Sequence, residues 1–194
     1  MIYLVRMRPK FRAAAVALVL VGALSASGCA SEAPAADPTP TPSATPLFAS
    51  DEEALAAAEE AYAAYLAVTD EILHDGGIGS ERLAVVAEGG ALSQAVGDAD
   101  EFRSNGWRTT GATILRSISL QSNDISAVPS DIVVRAYVCE DVAGIDLLDK
   151  AGMSLVSPDR QTVTPFEAAF VVPSVGDSLI LAEREVWGDL GVCS

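Results

Sequence analysis

The order of the patterns along the chain limits the available folds more than any other feature, because helical patterns come first and alternating patterns follow. After residue 50, apolar residues recur every three or four positions to about residue 73, which predicts one long amphipathic helix. From residue 107 onward, apolar residues instead recur at every second position in several short runs, as in antiparallel strands. Helices followed by a run of strands predict an α+β fold, with helices covering one face of the sheet.

Capping and stop signals set the limits of the predicted helices. Ser50 and Glu53 form a capping box at the start of the long helix, and Asp75-Gly76-Gly77 ends it. Two shorter helices are expected at about residues 81–87 and 91–103. We expect the long helix to bury Leu55, Ala58, Tyr62, Tyr65, Leu66, Thr69, Ile72 and Leu73, and the third helix to bury Leu92, Val96 and Phe102.

Four strands are expected at residues 107–121, 132–141, 162–172 and 177–187, with a hairpin at 147–153. In the first and third of these strands, mostly apolar residues at every second position define one face of the strand. These two faces consist of Ile114, Arg116, Ile118 and Leu120, and of Phe166, Ala168, Phe170 and Val172.

The first 29 residues have the pattern of a secreted protein's leader. Residues 1–12 contain four basic residues and no acidic one, residues 13–24 are apolar, and Ala26-Ser27-Gly28-Cys29 follows. This last segment resembles the lipobox of bacterial lipoproteins, which implies cleavage before Cys29 and a diacylglycerol on its thiol. Residues 1–28 are then a lipoprotein signal peptide. The alternatives are an ordinary signal peptide followed by a chance Cys, or a membrane helix, for which the apolar run is short.

Residues 29–49 are rich in Pro, Ala, Ser and Thr and have no apolar period, so we expect a disordered tether. The folded domain is then residues 50–194. The chain has 27 Asp and Glu against 12 Lys and Arg, a formal charge of −15, and loss of the basic leader would make it more acidic. Phosphate backbones would repel such a domain, so nucleic acid is not an expected partner.

Three cysteines are present, and lipid on Cys29 leaves Cys139 and Cys193. An even pair in an oxidising compartment predicts a disulfide, worth about 4 kcal/mol in the chain-entropy model. The alternative is two free thiols. A metal site is not expected, because neither cysteine has another Cys or a His at ligand spacing.

No catalytic motif is recognisable. The single histidine, His74, lies at the end of the first helix, where the helix dipole favours it. The chain has no G-x-S-x-G nucleophile elbow and no phosphate-binding loop. Asp98-Ala99-Asp100-Glu101 lacks the glycine and distal glutamate of a calcium loop, so we expect a solvated helix face. No cofactor is expected.

Beyond residue 50 the chain resembles extracytoplasmic domains of the NTF2-like superfamily. The similar segments are AEEAYAAYLAVTDEIL in the first helix, VVRAYVCEDVAGIDLLDKAG, and the terminal LAEREVWGDLGVC. The resemblance implies a cone, in which a long helix and two short ones pack on a curved antiparallel sheet. The superfamily contains isomerases, cyclases, dehydratases, assembly factors and binding modules, so the fold does not select a function.

Five aromatic residues are expected to converge inside that cone, as either a closed core or a binding pocket: Tyr62, Tyr65, Tyr137, Phe166 and Phe170. The leading expectation is a non-catalytic domain, anchored to the outer face of the cell membrane, that binds a small molecule or an envelope protein. The alternative is a small enzyme of isomerase or cyclase type acting in the cone pocket. The resemblance also implies homodimers through the open sheet face.

The lipobox pattern predicts that Cys29→Ala blocks lipid attachment, because the acylated thiol is lost. The variant should accumulate as an unprocessed or misrouted precursor. Metabolic labelling with a fatty acid, followed by purification, checks this. Label in the Cys29→Ala protein at the level of the unmodified protein would contradict the prediction.

Overall fold

The computed structural model describes residues 47–124 and 131–193, which form an α+β fold. The signal peptide, Cys29 and the tether up to residue 46 lie outside the described residues. The helical elements are helix α1 (Asp51–His74), a 3-10 helix (Ser80–Val85), helix α2 (Gly89–Asn105) and a terminal 3-10 helix (Leu190–Cys193).

Helix α1 confirms the predicted boundaries. The Ser50 hydroxyl accepts a hydrogen bond from the Glu53 amide at 3.2 Å, while the Glu53 carboxylate accepts one from the Ala49 amide at 2.7 Å. At the other end, the Gly77 amide bonds to the Ile72 carbonyl at 2.8 Å. Gly77 has a φ of +81°, a conformation in which glycine has no steric penalty.

Helix α2 differs from its prediction, because it presents alanines to the core. Its buried residues are Ala91, Ala95 and Ala99, whereas Leu92 and Val96 are only partly buried at the edge of the core. Phe102 packs edge-to-face on Trp107 instead, with ring centroids 6.0 Å apart. Small side chains let α2 approach its neighbours closely, and a simple count of large apolar residues misses that arrangement.

The strands are β1 (Arg108–Thr110), β2 (Ile114–Asn123), β3 (Ile132–Asp141), β4 (Asp146–Leu148), β5 (Val163–Val171) and β6 (Ile180–Val186). Among the described residues, β2-β3-β5-β6 form an antiparallel sheet and β1 pairs separately with β4. The strand expected at 107–121 is therefore two strands. They separate at Gly111, which has a φ of +88° and lies against the Gly144 backbone.

Bulges shift the faces of the edge strands. In β2 the register changes between Leu115 and Ser117 and again between Leu120 and Ser122. Leu115 therefore packs on the core, while Ile114 is 55% exposed, so strict period-two alternation was wrong for the start of this strand. In β6 the extra residue is Ala182, between Leu181 and Glu183. Bulges of this kind bend and twist strands, which curves the sheet.

The sheet has an inner face, which contacts the helices, and an outer face. Val134, Ala136 and Val138 of β3 point inward, opposite Phe170, Ala168 and Phe166 of β5. They pack against the buried residues of α1, which are Ala54, Ala58, Ala61, Tyr62, Tyr65, Leu66 and Ile72. The intervening residues Tyr137 and Cys139 point to the outer face.

Helix α2 lies close to the turn that follows α1. This packing predicts that two glycine substitutions change the free energy of unfolding in opposite directions. A Cβ on Gly77 would lie 1.9 Å from the Ala99 carbonyl oxygen, so Gly77→Ala should lower the free energy of unfolding by more than ~1 kcal/mol. Gly97→Ala, at an exposed position of α2 with nothing within 4 Å, should raise it by about 0.5–1 kcal/mol. Urea titrations measure both, and equal effects would contradict the packing described.

Candidate functional site

A buried polar cluster lies inside the fold, formed by Tyr62 of α1, Glu140 of β3 and Arg184 of β6. The Tyr62 hydroxyl donates to Glu140 Oε1 at 2.5 Å. Arg184 Nη2 donates to Glu140 Oε2 at 2.7 Å, and its Nε lies 3.0 Å from both Glu140 Oε1 and the Tyr62 hydroxyl. The side chains of Arg184 and Glu140 are only 16% and 6% exposed, so this is a two-pronged ion pair largely removed from water.

Burial and charge together fix the ionisation of this cluster. Burial raises the pKa of Tyr62 well above its usual range, because the phenolate would lose its hydration, and the Glu140 carboxylate adds to the effect. For Arg184, burial alone would lower the pKa, but Tyr62 and Glu140 outweigh it and raise the pKa. The guanidinium also lies over the Phe166 ring, 3.5 Å from its centroid. Tyr62 is therefore neutral and Arg184 charged near neutral pH.

The cluster has the chemistry of an internal ion pair. Both oxygens of Glu140 are bonded to Arg184, and Tyr62 is 0% exposed. A general base needs a carboxylate that can reach a substrate proton, and here the carboxylate is occupied by neighbouring side chains. The arrangement therefore ties α1, β3 and β6 together.

Neither Glu140 nor Arg184 was identified from the sequence. Glu140 lies two residues beyond Val138, so period-two alternation alone would direct it inward, and a charged residue on an apolar face was an available signal. Arg184 had no such signal, because the bulge at Ala182 shifts its orientation relative to Leu181. The pairing of β5 with β6 places Arg184 inward, opposite Ala168.

Four of the five predicted aromatics lie on the inner side of the sheet. The Tyr62 ring centroid is 5.9 Å from that of Tyr65 and 6.3 Å from that of Phe170, and Phe166 lies beneath Arg184. Tyr62 and Phe170 are both fully buried. The space that these rings surround is filled by their own side chains, so this part of the interior is a packed core.

Tyr137 does not join them, and that part of the expectation was wrong. It alternates with inward-facing Ala136 and Val138, so its ring lies on the outer face of the sheet. There its hydroxyl accepts a hydrogen bond from Gln121 Nε2 at 2.7 Å. Its ring packs on Trp187, with centroids 4.9 Å apart.

The same outer face is acidic. Arg135 Nη1 lies 3.4 Å from Glu167 Oε1 and 3.2 Å from Glu183 Oε2. Glu185 pairs directly opposite Glu167 in the β5–β6 register, and no described residue forms an ion pair with Glu185. Like charges placed opposite each other destabilise a sheet, so this face combines aromatic rings with excess negative charge at some cost in stability.

Cys139 also points to the outer face, and it forms a disulfide with Cys193. The Cα atoms are 5.6 Å apart, within the usual range for such a bond. The bond holds the terminal 3-10 helix against the outer side of β3. The open face expected from the alternation is therefore partly covered by the end of the described chain.

Two of the surface grooves border the helices. One, of about 310 Å³, lies beside α1, and the other, of about 540 Å³, lies between α2 and β6. The first is lined by Phe48, Ala57, Glu60, Ala61, Ala64, Val85, Val86, Asp177, Ser178, Leu179 and Ile180. The second is lined by Gly90, Gln94, Glu183, Arg184, Glu185 and Val186.

The other residues considered for chemistry are dispersed. His74 lies at the end of α1, and its Nε2 is buried with no hydrogen-bond partner among the described residues. Asp100 forms an ion pair with Arg103 on the surface of α2. In residues 47–124 and 131–193, no three His, Cys, Asp or Glu side chains are grouped as metal ligands. In the same ranges, no helix has the length and apolar composition needed to cross a membrane.

Comparison with known proteins gives no family assignment. No protein-family model matches the chain, and no curated protein matches it. Among solved structures, the intermembrane-space region of the chloroplast protein ARC6 is similar at 19% identity and a TM-score of 0.48. The similarity covers 70% of this chain and 97% of that one.

The buried ion pair predicts a strong difference between single and double substitutions. Glu140→Gln should lower the free energy of unfolding by about 3–5 kcal/mol, because Arg184 is left buried without its carboxylate. Adding Arg184→Met should recover much of that loss, because the uncompensated charge is removed. Urea titrations measure both effects. Glu167→Gln on the outer face is the control and should cost less than about 1 kcal/mol.

The raised pKa of Tyr62 predicts a loss of stability at alkaline pH. Below the ordinary tyrosine pKa of 10.0 its contribution is complete. As the pH rises above that value, the unfolded tyrosine ionises while the folded one does not, so the free energy of unfolding falls. Tyr62→Phe should make this decline shallower in urea titrations between about pH 8 and about pH 11. Parallel curves for the two proteins would contradict the assignment.

Proposed function

We propose that this chain is a lipid-anchored, extracytoplasmic domain of the NTF2-like type that binds an envelope protein through its surface. The observation that carries the proposal is the filled interior. Tyr62, Glu140 and Arg184 satisfy one another there, and the rings of Tyr65 and Phe170 pack around them. A domain without an open interior has its surface available for function.

The proposed location rests on the leader and on the cysteines. A lipid on Cys29 would tether the domain through residues 29–49 to the outer face of the membrane. The Cys139–Cys193 disulfide supports this location, because such bonds persist in oxidising compartments and are rare in the cytosol.

A protein partner fits the exposed chemistry better than nucleic acid does. The outer face offers the paired rings of Tyr137 and Trp187 beside an acidic group. Aromatic rings are common anchors in protein interfaces, whereas excess carboxylate repels phosphate.

An enzyme of isomerase or cyclase type remains the second candidate. The observation in its favour is the hydrogen bond from Tyr62 to Glu140, because a tyrosine hydroxyl and a buried carboxyl group act together in ketosteroid isomerases. Such an enzyme would have to release Glu140 from Arg184 when its substrate binds.

Two measurements test the surface proposal against the enzyme. In the first, the purified protein and its Phe170→Ala variant are unfolded in a thermal-shift screen against small molecules. A packed core predicts that Phe170→Ala costs ~3–5 kcal/mol and that no compound stabilises the protein. A compound that raises the melting temperature of the protein, but not that of Glu140→Gln, would favour the enzyme.

The second measurement places a photo-crosslinking residue at Tyr137 in the producing cells. We expect an adduct with an envelope protein. The same residue at Glu59, an exposed position of α1, is the control and should give none. Equal adducts from both positions, or none from Tyr137, would contradict a role for the outer face.

A further inference from the structure

Strand β6 has a free edge over half of its length. At the start of the strand, residues 86–88 run alongside it: the Leu181 amide donates to the Val86 carbonyl at 3.1 Å, and the Glu88 amide donates to the Leu181 carbonyl at 2.9 Å. Helix α2 then begins at Gly89, so the chain leaves the edge. No other described strand pairs with β6 on that side.

The backbone groups of Arg184 and Val186 point to this free edge. The Trp187 amide donates to the Pro165 carbonyl at 2.9 Å, on the β5 side of the strand. Because backbone groups alternate between the two edges of a strand, those of Val186 and Arg184 point away from β5. No described backbone group bonds to either of them on that side. An edge with free N–H and C=O groups is a template for another strand.

The groove beside this edge has room for an extended chain. It measures about 540 Å³ and is lined on the α2 side by Gly90 and Gln94. Gly90 has no side chain, and a Cβ at that position would meet only the Ala182 carbonyl oxygen, at 3.8 Å. Val186 is 70% exposed at the far end of the groove.

The charges beside the edge select the kind of strand that fits. Glu183 and Glu185 border the groove on the outer face, and Glu167 lies next to them on β5. Among the described residues, only Arg135 offsets these three carboxylates, through Glu167 and Glu183. A strand paired with β6 would therefore place every second side chain beside carboxylates that outnumber their basic partner, where Lys or Arg is favoured.

We propose that the free edge of β6 captures an extended segment of a partner protein with Lys or Arg at every second position. The segment adds a strand to the sheet through Arg184 and Val186, and its basic side chains contact Glu183 and Glu185. This deepens the proposed function, on which it rests, by naming the surface and the chemistry of the partner.

A second copy of this chain fits the edge poorly. Two β6 edges paired about a two-fold axis would bring glutamates close to glutamates, and each chain carries a formal charge of −15. The opposite sheet edge, β2, is also a poor template, because two bulges interrupt its register and twist it.

The test uses the purified protein and the peptide acetyl-Lys-Val-Lys-Val-Lys-Val-Lys-amide at physiological ionic strength. We expect binding together with slower hydrogen exchange at the Arg184 and Val186 amides. In an extended peptide, the amides at odd positions and those at even positions point to opposite sides, and only one of these two sets faces β6. N-methylation of that set should abolish binding, and N-methylation of the other set should not. A peptide with Glu in place of Lys should not bind.

Two variants separate backbone pairing from charge. Val186→Pro removes an outward N–H that the fold does not use, so it should leave the melting temperature nearly unchanged and weaken binding at least about tenfold. Glu183→Lys with Glu185→Lys should weaken binding at least about tenfold through charge. The matched control, Glu59→Lys with Glu101→Lys, changes the net charge equally at exposed helical positions and should stay within about twofold.

Four outcomes would overturn the proposal. The first is equal binding of both N-methylated peptides, which would indicate general charge attraction. The second is full binding by Val186→Pro. The third is a dimer that forms with increasing concentration when the protein is sedimented without peptide, and that Val186→Pro abolishes. Such a dimer would assign the edge to a second copy of the chain. The fourth is failure of the peptide to bind. If crosslinking from Tyr137 succeeds in that case, the edge proposal falls and the surface-binding function stands.

Discussion

The ion pair between Glu140 and Arg184, closed by the Tyr62 hydroxyl, links parts of the fold that are distant in sequence. It ties α1 to β3 and β6, with Arg184 stacked on Phe166 of β5 between them. Because Glu140 and Arg184 are both largely buried, removing one of them leaves the other with an uncompensated charge in a medium of low dielectric constant. Such a cluster restricts how helix and sheet can be arranged, since a shifted packing would separate the buried Glu140 carboxylate from its counter-charge.

The elements with local signals were predictable. Ser50 and Glu53 set the start of α1, the glycines after His74 set its end, and the alternation from Ile132 to Asp141 matches β3. Each of these features depends on residues close together in sequence, where capping, propensity and period-two burial act directly.

The errors arose where tertiary contacts override local pattern. Helix α2 buries Ala91, Ala95 and Ala99, while Leu92 and Val96 lie at the edge of the core. Its backbone at Ala99 lies close to Gly77. Bulges in β2 and β6 move side chains between faces, so the inward position of Arg184 depends on pairing with β5. Residue type groups Tyr137 with the interior rings, but its alternation with Ala136 places it on the outer face.

The disulfide has a consequence for resistance to proteolysis. Cys139 and Cys193 enclose both β5 and β6 within one covalent loop. The connection between those strands is exposed, and Val175 in it is 91% accessible, so it is a natural cleavage point. A single cut there would leave both products joined, with β5 and β6 still paired to each other. A nicked molecule could therefore keep its sheet, whereas the same cut in a reduced chain would free β6 to depart.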